Sequence, residues 1–123
     1  MATSLSLVSQ NIVLPEPLKT GGKPLMEALA ARKTTREFSE RELDRQTISN
    51  LLWAAYGYNR PEEKKRTVPT SRNRQEMEVY VTLSSGLYKY DAEKNELLRI
   101  HNRDIRASTG LQDFVASAPL NLV

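Results

Sequence analysis

The stretch that decides the fold is DRQTISNLLWAAYG, residues 44–57. Its apolar side chains recur at intervals of three and four residues, which is the period of one face of an α-helix. They are Ile48, Leu51, Leu52, Ala55 and Tyr56. Asp44 is a preferred residue type before the first turn of a helix, and Gly57 is a common residue after the last. The sequence therefore predicts an amphipathic helix over residues 44–57 that packs its apolar face against a core.

The chain before this helix is predicted to hold a lead-in and a shorter helix. Residues 11–24 contain three prolines and two adjacent glycines, so we expect residues 1–23 to form an extended lead-in without regular structure. Pro24 suits the first position of a helix, and the following LMEALAARK, residues 25–33, carries one apolar stripe. The stripe consists of Leu25, Met26 and Leu29.

Three cations stand close together where this first helix is expected to end, Arg32, Lys33 and Arg36. Cations in the last turn of a helix interact favourably with its dipole, by about 0.3–1 kcal/mol each. A group of cations also suits an anionic ligand, and the four-residue spacing of the two arginines lets both reach one anion. The residues alone leave both interpretations open.

Residues 59–75, NRPEEKKRTVPTSRNRQ, are polar and show neither the helical nor the strand period. They predict a loop, and its length is typical of a functional loop rather than a simple connection. A solvated turn rich in serine and asparagine is the structural alternative for its second half, residues 69–75.

The remainder of the chain predicts a β-meander followed by a last strand. EMEVYVTL, residues 76–83, alternates, with Met77, Val79, Val81 and Leu83 on one face. Turn sequences then lead into GLYKYD and ELLRI, in which Tyr88 and Tyr90 are expected at half-exposed positions. Short helical pieces around Gly110 precede a terminal strand in residues 118–123. Helices followed by strands, with a helix before the last strand, indicate the α+β class.

The composition excludes several classes of chemistry. The chain has 123 residues, which suits one domain, with no cysteine and one histidine. Thiol and disulfide chemistry are therefore excluded, and no metal site is expected. No stretch approaches the roughly 20 apolar residues that a transmembrane helix needs, so we expect no membrane span.

Positive charge is concentrated in the middle of the chain. Residues 32–74 hold eleven Lys or Arg and six Asp or Glu, a balance of +5, which favours an anionic ligand. A basic nucleic-acid-binding module is one alternative. However, no zinc-finger spacing, aromatic RNA-binding motif or long basic helix accompanies the charge, so we expect no nucleic-acid partner.

Four segments, taken in order, resemble the nitroreductase family of flavin enzymes. RKTTREF, residues 32–38, is similar to the family's basic segment after the first helix. LLWAAYG, residues 51–57, is similar to the SagB-like branch that includes thiazole-forming peptide oxidases. PTSRNRQEMEVYV, residues 69–81, resembles the loop that leads into a central strand. GLYKYD together with LQDFVASAPLNLV, residues 111–123, resembles the strand pair, helix and strand that follow in the same branch.

The chain departs from the family pattern at three positions. Thr34 and Thr70 stand where serine is commoner, and Glu76 stands where many relatives have proline. The resemblance implies a nitroreductase-like FMN-binding fold with a central, mostly antiparallel sheet flanked by helices. It also implies that residues 24–123 form the N-terminal portion of that domain, incomplete at its C-terminus.

The resemblance further implies FMN as a noncovalent cofactor. Arginine suits its phosphate because the planar guanidinium binds phosphate oxygens in pairs, and residues 69–75 would lie along the flavin ring. No side chain is expected to be catalytic, because the flavin carries the chemistry. The implied FMN contacts are Arg32, Lys33, Thr34, Arg36, Pro69, Thr70, Ser71, Asn73 and Gln112.

The same resemblance implies an NAD(P)H-dependent oxidoreductase that passes hydride to a nitroaromatic, a quinone or a related electrophile. It implies a homodimer with a shared flavin site, and a complementary C-terminal polypeptide as a further partner. A catalytically incomplete flavin-binding fragment is the alternative function. We expect a cytoplasmic protein, or a periplasmic one if residues 1–10 are the remnant of a signal peptide.

Overall fold

The computed structural model describes residues 11–123, so the expected signal-peptide remnant in residues 1–10 lies outside the described part of the chain. The described residues form two α-helices, seven short strands and four single turns of 3₁₀-helix. The helices are α1 (Leu25–Ala31) and α2 (Arg45–Tyr56). The strands are β1 (Ile12–Val13), β2 (Tyr58–Arg60), β3 (Lys65–Arg66), β4 (Tyr80–Leu83), β5 (Gly86–Asp91), β6 (Glu96–His101) and β7 (Asn121–Leu122).

Helix α2 has the caps that its sequence predicts. The carboxylate of Asp44 accepts a hydrogen bond of 2.7 Å from the backbone N–H of Thr47. The Thr47 side chain, and after it this backbone bond, lower the pKa of Asp44. At the other end the N–H of Gly57 donates to the carbonyl of Trp53 at 2.8 Å. A Cβ atom at position 57 would lie only 2.4 Å from the Trp53 ring. Only glycine therefore allows the backbone to pass so close to Trp53 where the helix ends.

The main sheet has five strands in the order β1-β6-β5-β4-β7, and every neighbouring pair is antiparallel. The expected meander is confirmed as β4-β5-β6, and the terminal strand is confirmed as β7, which pairs with β4. Part of the lead-in joins the sheet as β1, because Ile12 and Val13 pair with β6. The α+β class is confirmed.

The core lies between α2 and one face of this sheet. Its buried residues are Leu14, Ile48, Leu52, Tyr56, Val81, Tyr88, Tyr90 and Leu97. The expectation that Tyr88 and Tyr90 are half-exposed is wrong, because alternate residues of β5 turn both rings toward the core. The Tyr88 hydroxyl contacts Ser85 Oγ at 2.7 Å and accepts from Arg99 Nη2 at 2.9 Å. Burial raises the pKa of Tyr90 to about 12, and the charge of Arg66 opposes this shift.

Three further expectations about local structure are corrected. The polar stretch 59–75 contains a hairpin of β2 and β3, which its composition does not indicate. Strand β4 begins at Tyr80, and Met77 lies exposed before it. Helix α1 ends at Ala31, two residues earlier than expected, because Arg32 adopts extended dihedral angles.

The apolar stripe of α1 is not packed against the described residues. Leu25, Met26 and Leu29 are 72%, 75% and 54% exposed, and no residue of α1 is buried. Only α2 therefore flanks the sheet in the manner that the sequence predicts.

Two adjacent leucines of α2 allow a matched test of this core. Leu52 is fully buried and Leu51 is 39% exposed. We expect Leu52→Ala to lower the free energy of unfolding by about 2–5 kcal/mol, because it removes buried methyl groups and leaves a cavity. Leu51→Ala is expected to cost less than about 1.5 kcal/mol, since part of that side chain already lies in water. Urea unfolding followed by circular dichroism measures both, and equal losses would contradict this packing.

Candidate functional site

The basic segment at residues 32–36 lies on the surface directly after α1. All five residues are exposed, and within residues 11–123 no hydrogen bond or ion pair engages the side chains of Arg32, Lys33 or Arg36. The last turn of α1 contains no basic residue, and Arg32 is its C-cap. The cations therefore lie at the C-terminal end of the helix and just beyond it, where they can interact with the helix dipole or with an anionic ligand.

A contact between two phenylalanine rings brings this segment near a second part of the predicted site. The rings of Phe38 and Phe114 lie 6.2 Å apart between centroids at an angle of 45°, an ordinary geometry for an aromatic pair. Phe114 belongs to the 3₁₀ turn Asp113–Ala116, for which Gln112 is the N-cap. The structure thus places the chain around Gln112 beside the chain that follows Arg36.

The third part of the predicted site is the loop of residues 69–75, which we call the strained loop. It contains the 3₁₀ turn Ser71–Asn73, and Pro69, Ser71 and Asn73 in it are exposed. Arg72, Asn73 and Gln75 have φ angles of 52°, 53° and 52°. Such left-handed conformations cost a residue other than glycine about 1–3 kcal/mol and persist only when neighbouring contacts impose them.

Hydrogen bonds inside the strained loop converge on Gln75. Its backbone N–H donates to Thr70 Oγ1 at 3.0 Å, and its side-chain Nε2 donates to Asn73 Oδ1 at 2.8 Å. The Thr70 hydroxyl keeps its own proton as a donor, and the exposed Ser71 hydroxyl can donate and accept. Gln75 is a residue that the sequence reasoning did not single out.

The predicted FMN contacts lie outside the cleft beside α2. A cleft of about 320 Å³ lies between the lead-in, α2 and the hairpin, and it is lined by Trp53, Tyr58 and Tyr90 among others, but by none of the predicted FMN contacts. Within residues 11–123, no hydrogen bond joins residues 69–75 to residues 32–36 or to Gln112. The assignment of these nine residues to FMN stays a prediction.

Two kinds of feature are absent from the described residues 11–123. No helix among them is long and apolar enough to cross a bilayer. They also contain no group of three or more histidine or acidic side chains placed to hold a metal ion.

Comparison with known proteins identifies related chains. The model of the Nitroreductase family matches residues 29–123. A protein of Methanocaldococcus jannaschii named as a nitroreductase is 30% identical over 109 residues, covering 80% of this chain and 54% of that protein. A crystal structure of a Ralstonia eutropha JMP134 protein named as a nitroreductase is 46% identical with a TM-score of 0.85, covering 93% of this chain and 54% of the other. The chain spans about half the length of these two relatives.

Proposed function

The chain belongs to the nitroreductase family, and we propose that it acts as an FMN-dependent oxidoreductase that uses NAD(P)H. The acceptors that we propose are nitroaromatics, quinones or related electrophiles. The observation that carries the proposal is the basic segment 32–36. It lies within the matched range, and its exposed cations have no hydrogen-bond or ion-pair partner within residues 11–123. Those cations are free to bind an anion.

The residues present fit the phosphate of FMN. That phosphate is a dianion, and each hydrogen bond from a charged donor contributes about 1.5–3 kcal/mol. Arg32 and Arg36 supply guanidinium groups that bind phosphate oxygens in pairs, and Lys33 and Thr34 supply an ammonium and a hydroxyl donor. The donor set matches the charge and the hydrogen-bonding capacity of the group.

The strained loop and Gln112 supply the remaining contacts in this proposal. Thr70, Ser71 and Asn73 offer hydroxyl and amide groups to polar edges of the ring or to the ribityl chain. Pro69 has no backbone donor and a fixed φ, so it suits packing against a flat ring. When bound, FMN supplies the two-electron chemistry that accepts hydride from NAD(P)H and delivers it to the acceptor. The protein's tasks are to hold the cofactor and to admit both substrates.

Removal of the two guanidinium groups tests the phosphate assignment. We expect Arg32→Ala combined with Arg36→Ala to weaken FMN binding by about 100-fold or more, because two charged hydrogen-bonding groups are lost. Quenching of flavin fluorescence on titration with protein measures the affinity. Lys94→Ala combined with Arg103→Ala is the control, since it removes two exposed positive charges elsewhere. Equal affinity in the Arg32/Arg36 variant and the wild type would remove the assignment.

Turnover is tested separately from binding. We expect the FMN-loaded chain to oxidise NADH or NADPH in the presence of a quinone or a nitroaromatic, followed as loss of absorbance at the nicotinamide band. The same chain without FMN is the control and should show no oxidation. FMN binding without any NAD(P)H oxidation would instead support the alternative, a flavin-binding piece without turnover.

We also propose that the chain forms a homodimer through α1. Its stripe of Leu25, Met26 and Leu29 is exposed, and exposed apolar patches of this kind commonly mark interfaces. We expect sedimentation velocity to give twice the mass of the chain, and Leu25→Glu combined with Leu29→Glu to give a monomer. Leu111→Glu, at a fully exposed position outside the stripe, should leave the dimer intact. A wild-type monomer at high concentration would refute the proposal.

A further inference from the structure

The side chain of Arg66 lies between two aromatic rings at the end of α2. Its guanidinium carbon is 3.8 Å from the centre of the Tyr56 ring and 4.2 Å from that of the Tyr58 ring. Arginine stacks on aromatic faces through both its charge and its planarity. The side chain is half-buried, so the two rings fix the plane in which its N–H groups point.

Each nitrogen of the guanidinium donates to a different acceptor. Nη1 donates to the Tyr56 carbonyl at 2.8 Å, and Nη2 donates to the Tyr58 hydroxyl at 3.0 Å. Nε donates to Gln75 Oε1 at 2.9 Å. Two of the bonds attach Arg66 to the end of α2 and to β2, and the third reaches the strained loop. Arg66 therefore connects the buried helix to that loop.

Gln75 passes this connection to the rest of the strained loop. Its Oε1 also accepts from the Tyr58 hydroxyl at 3.4 Å, and its Nε2 donates to the Lys64 carbonyl as well as to Asn73. The backbone N–H of Gln75 donates to Thr70, so this N–H and both polar atoms of the Gln75 side chain are hydrogen-bonded. The Tyr56 hydroxyl holds the chain just after the loop, where it donates to the Met77 carbonyl at 2.7 Å.

The strained loop needs such an external anchor. Its three left-handed residues are all types other than glycine, so the conformation is not the one the free segment favours. The three carry exposed or half-exposed side chains, so burial does not impose the conformation either. The hydrogen bonds of Gln75, held in place by Arg66, supply that restraint.

We propose that Arg66 is a positioning residue for the cofactor: stacked between Tyr56 and Tyr58, it holds Gln75 and thereby fixes Thr70 and Asn73 in the arrangement that FMN requires. This inference rests on the proposed function. Arg66 itself does not contact the flavin, because its donors are directed at protein groups. Lysine cannot replace it, since an ammonium group lacks the planar fork that reaches three separate acceptors while stacking on two rings.

The first test measures the conformation of the strained loop without any cofactor. Trypsin cleaves after Arg72 and Arg74 in this loop, and after Arg32 and Lys33 in the exposed basic segment. We expect Arg66→Lys to raise the ratio of loop cleavage to basic-segment cleavage about tenfold, measured by mass spectrometry at short digestion times. Gln75→Ala should raise the ratio at least as much, because it also removes the bonds to the Lys64 carbonyl and to Asn73. The tenfold rise for Arg66→Lys is the change expected from losing the one hydrogen bond between its charged group and Gln75.

Arg60→Lys is the matched control. Arg60 lies on the same hairpin, and its bonds, at 3.4 Å to Asn59 and to the Arg66 carbonyl, do not reach the loop. The same exchange there should leave the cleavage ratio unchanged. Arg66→Lys in a Gln75→Ala background should add nothing to the effect of Gln75→Ala, because Arg66 acts on the loop through Gln75. A general loss of stability would instead raise cleavage at all sites. The effects of the two substitutions would then add in the double variant.

The second test measures FMN affinity by flavin fluorescence in the same variants. We expect Arg66→Lys to weaken binding about tenfold and Gln75→Ala to weaken it at least as much. The double variant should bind no more weakly than Gln75→Ala alone. An unchanged cleavage ratio, or a raised ratio with unchanged FMN affinity, would overturn the inference while leaving FMN binding by the chain intact. Failure of the wild-type chain to bind FMN would refute the proposed function, and with it the role of Arg66 in positioning residues for the flavin. Gln75→Ala carries both tests if Arg66→Lys does not fold.

Discussion

The structure depends on burying one face of α2 against the antiparallel sheet. Ile48, Leu52 and Tyr56 occupy that face, and Val81 and Leu97 lie opposite on the sheet. This packing fixes the end of α2, and the end of α2 in turn fixes the hairpin and the strained loop. Thr67 donates to the Gly57 carbonyl, and Arg66 donates to the Tyr56 carbonyl. A hydrophobic contact therefore sets the position of the strained loop, whose polar groups are proposed to bind the cofactor.

Stability and the proposed function draw on different parts of the chain. The basic segment and the α1 stripe are exposed and contribute little to the core. Their side chains are consequently free to bind an anion and a second copy of the chain. The strained loop is neither part of the core nor independent of it, because its exposed residues are held by the half-buried Arg66. Binding groups at the surface of a rigid scaffold, with one anchor reaching inward, are a common way of building a ligand site.

Sequence reasoning worked where a period was present and failed where contacts between distant residues decide the outcome. The spacing in residues 44–57 predicted α2 and both its caps, and alternation predicted the meander. The hairpin at 58–66 was missed because its polar residues show no period. Its two strands are joined by backbone hydrogen bonds, which do not depend on a hydrophobic pattern. Tyr88 and Tyr90 were misjudged because alternation shows that they share a face but not which face meets α2. The order of the four motifs along the chain indicated which residues to propose as FMN contacts. It could not predict how those residues are arranged in space.

Sequence patterns alone were enough for helix α2, for the meander, for the positive charge of residues 32–74 and for the resemblance on which the proposed flavin rests. These follow from local spacing and residue type, which act over a few residues. Only the tertiary structure decided that Arg66 lies between Tyr56 and Tyr58 and that Gln75 joins it to the strained loop. Tyr56, Tyr58 and Gln75 lie eight to ten positions from Arg66 along the chain, and residues 59–75 show no period. Their contact exists because α2, once buried, brings the hairpin and the loop back to the same end of the helix.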